Sequence, residues 1–336
     1  MSANLGHDAA WEGGGLAFLY RQLFVSPQPV PSSVNLVGKT VVVTGANTGL
    51  GLEAVRQFLQ LKASRAILAV RSTAKGEAVA SPLRKEFPNA QIDVMNVDMA
   101  SYASIESFAK ECESLERLDI AILNAGIQAP HFERNAETGH QSTFQVNYLS
   151  TTLLARLLVP LMKAKTQDGE PARLSIIASD MAYSAKLDGI GPIIPHCDKE
   201  QGWDEYQSYS DSKLSLIAGV MTLAEQVSAD EVIINAVNPG LVTGTTIKKK
   251  TGEMFFDGII VPAFIKALGR SIKNGASIYV YGAVVQGKES HGSFVSDWTI
   301  KPYPGFLYTE KGKEFKTRLW EETAEELRVH LPRHPR

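Results

Sequence analysis

Tyr209 and Lys213 stand four residues apart in a helix-patterned stretch from Ser208 to Val227. That spacing puts both side chains on one helix face, one turn apart. A tyrosine, with a pKa near 10, is a poor base at neutral pH, but a nearby ammonium favours the phenolate and lowers that value. Such a pair can pass a proton to or from a carbonyl or alcohol oxygen. Alone, Tyr-x-x-x-Lys is also what many surface helices carry, a pair with no chemistry. Ser179, which follows the apolar run Leu174 to Ala178, adds a hydroxyl able to hydrogen-bond the same oxygen; its plain alternative is a serine that starts a loop.

A second cluster lies far upstream. Thr44-Gly45-Ala46-Asn47-Thr48-Gly49-Leu50-Gly51 follows the β-branched run Thr40 to Val43 and opens into the helical Leu52 to Leu59. Glycines there permit positive φ and close approach of a ligand to the main chain. The helix N-terminus behind them offers free N–H groups and the positive end of a dipole, which suits a phosphate. The spacing is G-x-x-x-G-x-G, not G-x-G-x-x-G, and no Gly-Lys-Ser/Thr closes it as in a Walker loop. A structural turn is the alternative. Arg65 to Val70 reads as a second buried strand, and Arg71 follows it, twenty positions beyond Gly51. A dinucleotide fold places an acidic residue here for a free ribose 2′-hydroxyl, or a cation for a 2′-phosphate. There is no carboxylate in Val70-Arg71, and Lys75 is four residues on, so the pattern favours NADP over NAD; both cations could equally be solvated surface charges.

The elements that must hold these residues alternate. Strands are expected at Ile92–Val97, Leu118–Leu123, Leu174–Ala178 and Val232–Val237, with helices at Tyr102–Cys112, around Phe144–Met162 and at Ser208–Val227. Alternating βα units with apolar, β-branched strands predict a doubly wound parallel sheet covered on both faces, a Rossmann-type α/β fold. Ligands of such sheets sit beyond the carboxyl ends of the strands. The glycine turn, Arg71, Asp98, Asn124-Ala125-Gly126, Ser179 and Asn238-Pro239-Gly240 all fall at such ends.

As a set, in this order, these motifs together with Asn147 in Val146-Asn147-Tyr148 and Tyr209-Ser210-Asp211-Ser212-Lys213 resemble the short-chain dehydrogenase/reductase family. The nearer likeness is to its retinol-dehydrogenase-like and WW-domain-oxidoreductase-like branch, especially fungal reductases of secondary metabolism. Leu36-Val37-Gly38-Lys39-Thr40, Ala69-Val70-Arg71-Ser72 and Ser290-His291-Gly292 carry that likeness. The resemblance implies seven strands, Phe294-Val295-Ser296 being the last. It implies Tyr209 as acid/base, Lys213 on the cofactor ribose and on Tyr209, Ser179 on the substrate oxygen, and Asn147 in a water-linked proton relay. It implies cofactor contacts from Gly45, Asn47, Thr48, Gly49, Leu50 and Gly51, from Arg71 and Lys75, and from Asp98 and Met99 beside adenine. Asn124, Ala125 and Gly126 would form the floor, with Pro239, Gly240, Val242 and Thr243 farther along. Two departures stand out. About thirty residues separate Ser179 from Tyr209, where family members have roughly a dozen; the extra stretch, with Gly189, Gly191, Pro192, Pro195 and Trp203, reads as a loop beside the site. Where the family often has Pro-Gly-x-x-x-Thr to hold the nicotinamide carboxamide, the matching residue is Gly244, flanked by Thr243 and Thr245.

The whole chain sets the remaining bounds. Its 336 residues are 44% hydrophobic with net charge -2, so no basic field recruits nucleic acid or acidic membrane. One domain over 38–305 is expected, with an N-terminal extension over 1–37 and a C-terminal helical one over 306–336. No apolar run approaches the roughly 20 residues of a transmembrane helix. The two cysteines, Cys112 and Cys197, give no disulfide framework, and a cytoplasmic protein with reduced thiols is expected. His196, Cys197 and His291 show no metal-ligand spacing. The short helix Leu16–Phe24 is expected to pack across the outside of the domain; membrane or partner contact is the alternative, disfavoured by its lack of a Lys/Arg cluster. Residues 245–272, with Met254, Phe255, Phe256, Ile259, Ile260, Val261, Phe264 and Ile265, are expected to form an apolar lid for a bulky hydrophobic carbonyl or alcohol. Trp320 to Leu331 reads as a charged surface helix. The expectation is an NADP(H)-dependent enzyme, compatible with a homo-oligomer. A retinoid- or steroid-type dehydrogenase, a cyclase or isomerase using the same pocket, and a non-catalytic nucleotide-binding scaffold are the alternatives.

Overall fold

The computed structural model describes residues 1–166, 169–244, 266 and 268–331. The expected lid therefore falls almost wholly outside the described residues. A single sheet organises the rest, with strands β1 (Thr40–Thr44), β2 (Arg65–Val70), β3 (Gln91–Asn96), β4 (Ile120–Leu123), β5 (Ala172–Ile177), β6 (Val232–Asn238), β7 (Phe294–Ser296) and β8 (Thr299–Lys301). Their order is β3-β2-β1-β4-β5-β6-β7-β8, all parallel except the antiparallel β7–β8 hairpin. The chain winds from β1 to β3 in one direction and then returns to β4 on the other side of β1. A crevice opens at that reversal, at the carboxyl ends.

Side-chain alternation assigns each strand to two cores. Val42, Ile67 and Ala69 face helices α4 (Tyr102–Cys112), α5 (Thr151–Lys165) and α6 (Glu205–Glu225). Val41, Val43, Leu68 and Val70 face α2 (Gly49–Gln60), α3 (Thr73–Glu86) and α7 (Ile272–Val284). Hydroxyl or carboxylate caps start most of these helices: Ser72 accepts from Lys75 N, Ser101 from Ser104 N, Asp204 from Gln207 N and Ser271 from Asn274 N. Each such cap supplies about 1 kcal/mol. The Asp204 cap moves the start of α6 three residues ahead of the expected Ser208.

The sheet has eight strands rather than seven. β8 is three residues long, carries no apolar run and exists only by pairing with β7. Its tight turn puts Asp297 at φ 53° and Trp298 at φ 59°, conformations that usually call for Asn-Gly. Burial of Trp298, whose Nε1 donates to Ser277 Oγ at 3.1 Å, offsets the strain. The helix expected around Phe144–Met162 begins at Ser142–Phe144, passes through a wider π-turn at Gln145–Ser150, and continues as α5 to Lys165. The stretch between Ser179 and Tyr209 is not all loop, since it holds a 3-10 helix, Asp180–Ser184, and an α-helix, Ile193–Cys197.

Both ends of the chain fold onto this frame. The C-terminal helix α8 (Glu310–Glu326) starts ten residues before the expected Trp320. It buries Phe315 and Leu319, each contributing roughly 1.5–3 kcal/mol of transfer free energy. Tyr148 OH shares a hydrogen bond with Thr323 at 2.7 Å, and Glu322 accepts the N–H groups of Ile193 and Ile194. At the other end, buried Ser2 accepts from Phe294 N and donates to the Lys301 carbonyl. Helix α1 (Gly15–Phe24) turns Ala17 and Arg21 inward and leaves Leu16, Tyr20, Leu23 and Phe24 exposed. Its amphipathicity is the reverse of an ordinary surface helix. No helix among the described residues is long and apolar enough to cross a membrane.

Candidate active site

The glycine turn and the end of β4 form one unit. Asn124 Nδ2 donates to the Thr44 carbonyl at 2.9 Å, and Ala125 N donates to Thr44 Oγ1 at 3.0 Å. Gly51 fits because a Cβ there would lie 2.6 Å from the Gly45 carbonyl oxygen and 2.7 Å from Asn124 Nδ2. Gly49 differs: it has φ +55° and its missing Cβ faces open space at the start of α2. A phosphate can therefore approach the first N–H groups of the helix, which have no intrahelical partners. Asn47, Thr48 and Leu50 are only partly buried or exposed around the same opening.

Along the sheet edge, Arg71 and Lys75 are exposed at the end of β2 and the start of α3. Asp98 follows β3; its carboxylate accepts from Ala100 N at 2.9 Å, and its N–H donates to Ser104 Oγ. Met99 is buried beside it. On the other side of the crevice, Gly126 lies where a Cβ would sit 3.1 Å from Asn147 Oδ1 and 3.7 Å from Lys213 Nζ. The Asn147 amide makes three hydrogen bonds. It accepts from Ile127 N and donates to the Ile127 carbonyl and to Ser212 Oγ. Asn147 thus locks the strand end to the π-turn and α6; both amide hydrogens are used, and Oδ1 keeps one lone pair.

Tyr209 and Lys213 sit on the inner face of α6, both buried. Lys213 Nζ donates to the Ile177 carbonyl at 2.8 Å and lies 5.6 Å from the Tyr209 ring centre. Burial alone pushes the Lys213 ammonium down to about 7. Burial pushes the Tyr209 phenol up to about 12, against a hydrogen bond from Ser179 that lowers it. Desolvation outweighs that hydrogen bond, and the nearby Asp180 carboxylate adds to the rise; the expected lowering draws also on the charge of an oxidised nicotinamide. Ser179 Oγ also accepts from Met181 N at 3.2 Å, which fixes it at the carboxyl end of β5.

The segment after β6 closes this side. Gly240 (φ +73°) donates its N–H to Asn238 Oδ1. Val242 forms a bridge with Arg270, and Thr243 donates its N–H and its hydroxyl to the Arg270 carbonyl. Pro239 is partly buried beside them, and Thr245 lies outside the described residues. Sequence reasoning missed a buried charge cluster under this loop. Arg21 pairs with Glu12 at 2.7 Å, Asp297 at 3.4 Å and Asp180 at 3.8 Å, and Asp297 also binds Arg270. These residues are scattered from position 12 to 297, and no local spacing announces them. A groove of about 1010 Å3, lined by His140, Asp198, Glu322 and Glu326 among others, lies over the inserted stretch and α8, and Tyr209 does not line it. Among the described residues no cluster of His, Cys, Asp or Glu could hold a metal ion.

A doubly wound sheet with a glycine turn at its point of reversal is a Rossmann-type architecture. The short chain dehydrogenase family profile matches residues 39–185. Short chain dehydrogenase virL of Hypocrea virens is 43% identical over 330 residues, 97% of this chain and 96% of that protein. Short chain dehydrogenase/reductase mfmJ of Annulohypoxylon moriforme is 44% identical over 312 residues, 92% of this chain and 90% of its own length. The chain belongs to the short-chain dehydrogenase/reductase family, and is an oxidoreductase of that family. In fold it is similar to L-sorbose reductase from Gluconobacter frateurii, solved with NADPH and L-sorbose, with TM-score 0.60 and 22% identity over 78% of this chain and 96% of that one.

Proposed function

We propose that this protein is an NADPH-dependent reductase that converts a carbonyl on a bulky, hydrophobic secondary-metabolite intermediate into an alcohol, and catalyses the reverse reaction when the balance of substrates favours it. The observation that carries the reading is the trio at the ends of β5 and α6: Tyr209 hydrogen-bonded to Ser179, with the buried Lys213 one turn away. Their neighbourhood fits a dinucleotide. Gly49 leaves room at a helix N-terminus, and Lys213 Nζ spends one donor on Ile177, leaving two for a ribose. Arg71 and Lys75 stand exposed where a 2′-phosphate would lie.

NADPH supplies the hydride. Tyr209 holds its proton at neutral pH, since burial keeps the phenol up at about 12, and so is set to donate it to the oxygen of the reduced carbonyl. The Ser179 hydroxyl orients that oxygen and stabilises the charge that develops on it. A charged Lys213 beside the resulting phenolate favours it and eases the transfer. Asn147 positions: it ties Ile127 to Ser212 and holds the π-turn against α6. NADPH deuterated at the transferred position, incubated with the protein and a panel of polycyclic ketones, tests the reaction class. Deuterium on the carbinol carbon of the product is expected. A product formed without label and without NADPH consumption would favour a cyclase or isomerase instead.

A further inference from the structure

Helix α1 lies outside the stretch matched by the family profile, yet it reaches the loop that follows β6. Gln22 makes three hydrogen bonds there. Its Oε1 accepts from Leu241 N at 3.3 Å, and its Nε2 donates to the carbonyls of Leu241 and Leu268, each at 3.0 Å. One amide thus pairs with both main-chain groups of Leu241, as a neighbouring strand would. The approach depends on Gly240, where a Cβ would stand 2.8 Å from Gln22 Oε1 and 2.7 Å from Arg270 Nη1. Glycines at 240 and 244, both with positive φ, otherwise leave this loop with little intrinsic stiffness.

The helix that carries Gln22 is itself fixed. Arg21 is buried and paired with Glu12, Asp297 and Asp180, the residue after Ser179. The Arg21 carbonyl accepts from Arg270 Nη2 at 3.0 Å, and Arg270 returns a bond to the loop through Arg270 N and Leu241 O at 2.8 Å. The loop therefore hangs between two struts, Gln22 and Arg270, whose base is the charge cluster under Ser179. It lies at the end of β6, four strands along the sheet from Arg71 at the end of β2.

We propose that Gln22 is a positioning residue for the nicotinamide half of the cofactor, acting through the loop Pro239–Thr243. The inference rests on the cofactor reading above, and it separates the two halves of the ligand. Loosening the β6 loop weakens the grip on the nicotinamide end, while the adenosine end at β2 and β3 is untouched.

The test is titration calorimetry of the full chain and of Gln22→Met, which keeps side-chain length and removes all three hydrogen bonds. The two ligands are NADPH and 2′,5′-ADP, the latter carrying only the adenosine half. Hydrogen exchange at the Leu241 amide is followed in parallel. Gln22→Met should bind NADPH about tenfold more weakly, the scale of one or two net hydrogen bonds. It should bind 2′,5′-ADP as the parent does and exchange the Leu241 amide faster. Unchanged NADPH affinity overturns the inference, whatever the exchange rate. So does an equal loss for both ligands, which would mark Gln22 as a general structural anchor. If the parent protein binds neither ligand, the cofactor reading itself fails. Should Gln22→Met not fold, Gln22→Glu serves: it keeps the acceptor for Leu241 N, withdraws both donors, and should give the same selective loss.

Discussion

Tyr209 and Lys213 show what spacing can and cannot reveal. Their one-turn separation was legible in the sequence, because helical periodicity fixes which residues share a face. How deeply that face is buried was not, and burial is what moves both groups: the phenol up to about 12, the ammonium down to about 7. Lys213 also gives a pH test in the cofactor-free protein. Its unfolded value is about 10.4, so between about 7 and 10.4 the unfolded chain binds more protons than the folded one, and stability rises with pH. That contribution is complete above the unfolded value and is lost as pH falls towards 7. Lys213→Met has no such dependence. Thermal unfolding should show the parent gaining on Lys213→Met as pH rises through this window. A difference that stays flat would contradict a buried, desolvated lysine.

At the scale of elements, the strands were the most legible part. Arg65–Val70 falls where its apolar run puts it, and Phe294–Ser296 where the family resemblance puts it. The π-turn at Gln145–Ser150 and strand β8 were not legible, since each is held by tertiary partners rather than by local pattern. Position at a strand end also yields a prediction. Arg71→Asp should convert a preference for NADPH into parity or a preference for NADH, because a carboxylate after β2 repels the 2′-phosphate and accepts from a free 2′-hydroxyl. Dissociation constants for both cofactors would check this, and equal affinities in the unmutated protein would remove its basis.

A second element-scale device joins three segments. His140 places Nδ1 2.7 Å from Asp198 in the inserted stretch and Nε2 3.0 Å from Glu326 on α8. Burial pushes its pKa down, but hydrogen bonds to the two carboxylates outweigh that and hold it above the ordinary 6.5. A raised value means the stabilisation is complete below about 6.5 and fades as pH rises through the folded value. His140→Gln should therefore lower the melting temperature more at about pH 6 than at about pH 9. An equal loss at both would show that the histidine acts only by packing.

Over the whole molecule, the N-terminal segment reaches the loop after β6 from outside. The N-terminal segment was expected to pack across the surface, with membrane or partner contact as the alternative; Ser2, Arg21 and Gln22 bond to β7, the charge cluster and the β6 loop. Nothing in the sequence pairs Arg21 with Asp297, because ion pairs across such separations leave no periodic trace. Arg21→Met should cost about 3–5 kcal/mol in urea unfolding, since it leaves the buried Asp297 and the half-buried Asp180 with one cation fewer. A loss under about 1 kcal/mol would mean that the pair is effectively solvated.

The account as a whole stands on Tyr209 as proton donor, and single-turnover hydride transfer from bound NADPH measures that most directly. Tyr209→Phe keeps the ring and removes the proton. It should slow transfer by at least the roughly 10²–10⁴-fold of a lost general acid, with NADPH affinity little changed. Transfer at the unmutated rate in Tyr209→Phe would contradict the account.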